Sequence, residues 1–357
     1  MKRRDLLAAL AATPLMMFAA RAHAAPAGGA KLLVVFLRGG YDALSLLVPI
    51  RSDHYAHARP SIAIDRPGSG PAAAVALDAD WGLHPSLATS MLPCYRAGEL
   101  AFVPFVGGPD VSRSHVDAQR ALELGRPSSG SQDCPPAFLN RLATVLTDGH
   151  GARPLAFVED MPNGVLGALP VGNPDCGAPT GLLDAASGRA WSTQTFAQRA
   201  PHLAQLMNDR VDIGIADVGG WDTHVDQGAA TGYLADRFTE LGDGLAHFRA
   251  HMGSDWRRTV VVVVSEFGRS LRENGNHGTE HGQGTVYWVL GGGIRGGRVL
   301  GEQQRLDAGP TAARQGLPVL NDNRRLFAGL FAQMYGLNAA QLDRVFPGVG
   351  QGPIRFV

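Results

Sequence analysis

Six short apolar runs constrain what this 357-residue chain can fold into. They are Lys31 to Leu37, Leu100 to Val106, Leu155 to Val158, Val211 to Val218, Thr259 to Ser265 and Val286 to Leu290. They are largely apolar without strict alternation, Asp212 and Asp217 interrupting the fourth, the pattern of strands covered on both faces, as in parallel sheets under helices. Helix-like segments separate them: Leu87 to Gly98, Ser114 to Leu124, Phe138 to Leu146, Ser192 to Asn208, Ala229 to His251 and Arg324 to Tyr335. Strand and helix in alternation predict a doubly wound α/β domain. Residues 51–80 and 159–190 are rich in Pro, Gly and Ala without a period, and read as surface excursions over one core.

The first 24 residues are an address. Lys2, Arg3 and Arg4 precede an apolar run to Ala20, and Ala22-His23-Ala24 supplies a small-x-small cleavage site. Arg3-Arg4 followed by Asp5-Leu6-Leu7 has the form of a twin-arginine export signal, so the expected organisation is a leader at 1–24 and a single domain at 25–357. The export machinery is then a partner, and the periplasm or the exterior the destination. Basic and acidic residues balance at 32 each in the whole chain, and loss of the leader leaves a formal charge of −3. That balance gives no field for nucleic acid, and no later apolar run reaches the ~20 residues of a membrane anchor. Lys2 and Lys31 are the chain's lysines, which removes Walker-type phosphate loops and Schiff-base chemistry. Cys94, Cys134 and Cys176 allow at most one bridge in an oxidising compartment, and no CxxC pair suggests a thiolate metal site.

In an open parallel sheet chemistry gathers beyond the carboxyl ends of the strands. Here three of those ends read Arg38-Gly-Gly-Tyr-Asp42, Gly-Gly-Trp-Asp222-Thr-His224 and Ser-Glu266-Phe-Gly-Arg269, and Gly-Thr-Glu280-His281-Gly stands just before the strand at Val286. Carboxylates with imidazoles suit zinc, manganese or iron, whereas calcium favours oxygen alone. Asp222 and His224, two apart on an extended segment, face the same way and can share an ion that His281 completes. Asp42 and Glu266 are placed to hold a second ion about 4 Å away. Ser112-Arg113-Ser114-His115 opens a helix. Ser114 reads either as a plain N-cap or as a nucleophile, with His115 then an outer support of the metal ligands or a substrate contact. Arg38 and Arg269 are placed to clamp an anionic group, or to pair with carboxylates.

Three motifs fail on context. His277-Gly-Thr-Glu280-His281 matches H-x-x-E-H, but four nearby glycines argue against the helix that motif requires. Gly291-Gly-Gly293-Ile-Arg-Gly296 matches GxGxxG without a helix to follow it. No G-x-S-x-G is present.

Together LRGGYD, LHPSL, SRSHVDAQ, GGWDTH, SEFGRS, GTEHG and GGGIRGG resemble the secreted bacterial family known as domain of unknown function 1501. That family is regarded as a distant branch of the alkaline phosphatase and sulfatase superfamily. The resemblance implies an alkaline-phosphatase-like α/β/α sandwich with a mostly parallel central sheet and one or two divalent metal ions. It places Asp42 at the acid after the first strand and Ser114 near the nucleophile. It places Asp222 and His224 at one metal, Glu266 in the late acidic motif and His281 at the final His. Where the superfamily has Asp-His-Gly, this chain has Glu266-Phe267-Gly268, so one nitrogen ligand is missing. The implied activity is metal-dependent hydrolysis of phosphate or sulfate esters, on a small molecule or a polymer. The alternative is a non-catalytic periplasmic binding protein on the same sandwich.

Overall fold

Lys31–Leu37 (β1) forms the middle of a sheet because both of its faces find apolar cover. In the computed structural model, which describes residues 29–108, 112–126, 137–150, 156–157, 195–209, 211–306 and 316–357, every β1 residue is buried. The strands that follow are β2 (Leu47–Pro49), β3 (Val75–Ala76), β4 (Trp81–Leu83), β5 (Leu100–Gly107), β6 (Ala156–Phe157) and β7 (Ile213–Val218). After them come β8 (Thr259–Val264), β9 (Arg269–Glu273), β10 (Thr279–His281), β11 (Thr285–Gly291), β12 (Arg298–Val299) and β13 (Asn321–Asp322).

The main sheet has the order β12-β5-β11-β8-β1-β7-β6, with β13 also paired to β5. Leu33, Val35, Leu37, Val261 and Val263 face one core, with helices Phe196–Asp209 and Tyr233–Met252. Leu32, Val34, Phe36, Val260, Val262 and Val264 face the other, with helices Phe138–His150, Asn323–Tyr335 and Ala339–Val345. Burial of each such aliphatic side chain contributes roughly 1.5–3 kcal/mol, so the two faces of β1 and β8 alone anchor the sandwich. Lys31 is buried beside them, its ammonium donating to the Met207 and Val211 carbonyls and to Asp212 at 3.2 Å.

The α/β layering and the mostly parallel sheet agree with the sequence reading. Three features differ from it. β11 is antiparallel to both β5 and β8, because a continuous apolar run reports cover on both faces and says nothing of direction. The segment Leu87 to Gly98 is a 3₁₀ turn at Pro85–Leu87 followed by a short helix, Leu92–Arg96. Residues 51–80 are not merely an excursion: they form helix Asp53–Ala58 and β3, and they send Arg59 into the interior. Cys94 is buried, while the leader, Cys134, Cys176 and residues 159–190 lie outside the described residues. Among the described residues no helix is long and apolar enough to cross a membrane.

Candidate metal centre

Parallel β1, β7 and β8 end on the same side of the sheet, and their loops converge there. After β7 the chain tightens, Thr223 N–H bonding the Trp221 carbonyl and His224 N–H that of Asp222. His224 Nε2 thereby stands 2.9 Å from Asp222 Oδ1. The β9–β10 hairpin brings His281 Nε2 to 3.2 Å from the same oxygen and 3.0 Å from His224 Nε2. The hairpin sits this close because residue 278 is glycine: a Cβ there would lie 2.3 Å from the His224 carbonyl carbon. Helix His115–Leu124 contributes His115, whose Nε2 lies 3.4 Å from Asp222 Oδ2.

The outer nitrogens of the three rings are all engaged. His115 Nδ1 donates to Glu266 Oε1 at 2.9 Å, and His281 Nδ1 to the Arg113 carbonyl at 2.8 Å. His224 Nδ1 faces Glu280 Oε2 at 3.3 Å. A carbonyl can only accept, so His281 carries its proton on Nδ1 and presents a bare Nε2 to a carboxylate oxygen. Burial lowers the His281 pKa, which favours that neutral ring. His115 Nε2 is buried without a hydrogen-bond partner among the described residues. For His115 the bond to Glu266 raises the pKa. Lone pairs turned toward one carboxylate repel unless a cation lies among them, and ring N–H groups held by carboxylate or carbonyl are the usual support of metal-binding histidines. One ligand atom each from His115, Asp222 and His281 lie within 4.8 Å of one another. The residues therefore fit a divalent cation.

Burial drives the Asp222 pKa up, but the hydrogen bond and charge of the Arg269 guanidinium outweigh it and leave the carboxyl below its usual range. Arg269 is itself buried, bonded to Asp222 Oδ1 and to the carbonyls of Gly39, Gly40, Thr279 and Trp221. Glu266, also buried, stays below its ordinary value because hydrogen bonds from His115, Gln119 and the Gly39 amide offset desolvation.

Asp222, His224 and His281 meet, as the strand ends suggested. The nitrogen absent from 266–268 has a counterpart in His115, which stands in the cluster and not at its edge. Glu266 lies one bond outward, on the far nitrogen of His115. Asp42 does not join. Its buried carboxylate accepts from Arg59 Nη1 and Nη2, Ser45 Oγ and Gln227 Nε2, which uses its lone pairs. Arg38 is no free clamp either: it pairs with Asp217 and Glu123 and donates to Gln119 Oε1 at 3.0 Å, while Gln119 donates to Glu266. Arg269 is taken by Asp222. Ser114 is the N-cap residue, exposed, and its hydroxyl makes no capping bond. Arg59, Gln227 and Glu280 were missed as supports. Glu280 was visible beside His281, whereas Arg59 and Gln227 carried no local signal.

Residues 179–346 match the model of the family described as Protein of unknown function (DUF1501). Over these residues the chain is similar to that family. The matched segment holds Asp222, His224, Glu266 and His281, while His115 lies ahead of it. No curated protein matches the chain in sequence. Solved structures similar to it include Ps i-CgsB, at 10% identity over 90% of this chain and 75% of that one, with a TM-score of 0.46. A protein in the alkaline phosphatase superfamily from Vibrio parahaemolyticus is 12% identical over 86% and 67%, with a TM-score of 0.41. The lipoteichoic acid synthase LtaP from Listeria monocytogenes is 9% identical over 89% and 74%, with a TM-score of 0.37.

Proposed function

We propose that this chain is a metal-dependent hydrolase of phosphate or sulfate esters, exported by the twin-arginine machinery to the periplasm or beyond. The observation that carries the reading is the cluster of three imidazoles whose inner nitrogens face one carboxylate. His115, Asp222, His224 and His281 would hold one divalent ion of the zinc, manganese or iron type. When bound, such an ion polarises an ester oxygen and eases deprotonation of an attacking hydroxyl. Glu266 keeps the His115 ring oriented, and Arg269 fixes the Asp222 carboxylate. Ser114 carries the attacking hydroxyl in this reading: it is exposed, adjoins His115 and is not spent on the helix end. The family resemblance and the leader support the same assignment.

Elemental analysis of protein purified from its export compartment is the first test, with about one transition metal per chain expected and none in Asp222→Asn. A panel of aryl phosphate and sulfate esters is the second. Metal-free protein from a metal-replete culture, or turnover preserved in Asp222→Asn, would overturn the proposal.

A further inference from the structure

Among the described residues Arg38, Arg113 and Arg269 touch the histidine cluster or the side chains bonded to it, and two of these are already committed to carboxylates. Arg38 is held by Asp217 and Glu123, and Arg269 by Asp222. Arg113 is different. Its carbonyl accepts the His281 Nδ1 proton at 2.8 Å, which ties its backbone to the centre. Its guanidinium makes one long bond, Nη1 to the His281 carbonyl at 3.4 Å, and meets no carboxylate among the described residues. The side chain is exposed, with most of its five N–H donors uncommitted. The next residue offers the unspent Ser114 hydroxyl, and the one after it places an imidazole in the cluster.

We infer that Arg113 grips the anionic oxygens of the ester group, an assignment that rests on the hydrolase reading. A planar guanidinium fork matches two oxygens of a tetrahedral oxyanion, which a solvated lysine-like charge does not. Substrates with a free anionic oxygen are then favoured over neutral carboxylic esters at the same centre.

Calorimetric titration with inorganic phosphate and inorganic sulfate tests this on the wild type, Arg113→Ala and Arg113→Lys, with the metal content of each measured in parallel. Arg113→Ala is expected to weaken phosphate binding at least about tenfold at unchanged metal content, and Arg113→Lys to restore part of it. With an aryl phosphate, the KM of Arg113→Ala should rise about tenfold, more than kcat falls. Equal phosphate affinity in Arg113→Ala and wild type, no phosphate binding by the wild type, or parallel loss of metal from the variant would overturn the assignment. Arg113-dependent phosphate binding without turnover of any ester would uphold it while removing the hydrolase reading beneath it.

Discussion

Two strands that pair side by side, β1 and β7, end in nearly the same words: Gly39-Gly40-Tyr41-Asp42 and Gly219-Gly220-Trp221-Asp222. Both aromatics are fully buried, their rings edge to face with centroids 5.9 Å apart. Both acids face an arginine. Yet Asp42 is sealed, with 0% of its side chain exposed and its lone pairs filled by Arg59, Ser45 and Gln227. Asp222 is 46% exposed and has three imidazole nitrogens around it. What separates a strut from a ligand is therefore access and unspent lone pairs, not position after a strand. The two are connected. Gln227 donates to Asp42, and its Oε1 accepts from Thr223 and Thr279, neighbours of the histidine-bearing positions.

The contrast can be broken from the Asp42 side first. Asp42→Ala strands the buried Arg59 guanidinium and is expected to cost roughly 3–5 kcal/mol in urea denaturation. A loss below 1 kcal/mol would mean that the sealed pair is not a strut.

The layer beneath the two aromatics supplies the next test. His84 packs on Phe238, which also contacts Tyr41 and Trp221. Its Nδ1 accepts from the Ser86 amide and its Nε2 donates to the Ala229 carbonyl, so the ring is neutral, and burial lowers its pKa to about 4. The unfolded chain then binds the extra proton near pH 6.5 while the fold resists it, so stability is full above that pH and is lost as pH falls toward 4. The loss is expected to reach roughly 3 kcal/mol. His84→Asn should flatten this slope, and an unchanged slope would point to another group.

On the open side, Glu266→Gln removes the carboxylate behind His115 and is expected to weaken metal affinity about 10–100-fold, read by competition with a chelator. Affinity within twofold of wild type would separate His115 from the ion. The smallest effect belongs to Ser114→Ala. Because the hydroxyl does not cap its helix, stability should stay within about 0.5 kcal/mol, against the ~1 kcal/mol of a working cap, while ester turnover is lost. A full capping loss with activity intact would return Ser114 to a structural role.

Much of the frame was legible: β1, β5, β7, β8 and β11 all lie where continuous apolar runs stand, because burial on both faces leaves a local mark in composition. The strand ends were legible for the same reason, and Asp222, His224 and His281 with them. Arg59 was not, since a cation inside the core looks like any other arginine in a loop read as surface. His115 was noticed, but its place among the ligands depends on a helix from one crossover reaching a hairpin from another.

The sequence by itself determined where the buried strands β1, β5, β7, β8 and β11 lie, since apolar spacing is a property of neighbours along the chain. Only the tertiary structure decided the direction of β11, which of two like-worded acids is sealed, and which imidazoles share a carboxylate. Those depend on distances between segments brought together by packing, Asp42 and Gln227 or His115 and Asp222 among them, and local spacing keeps no record of such distances.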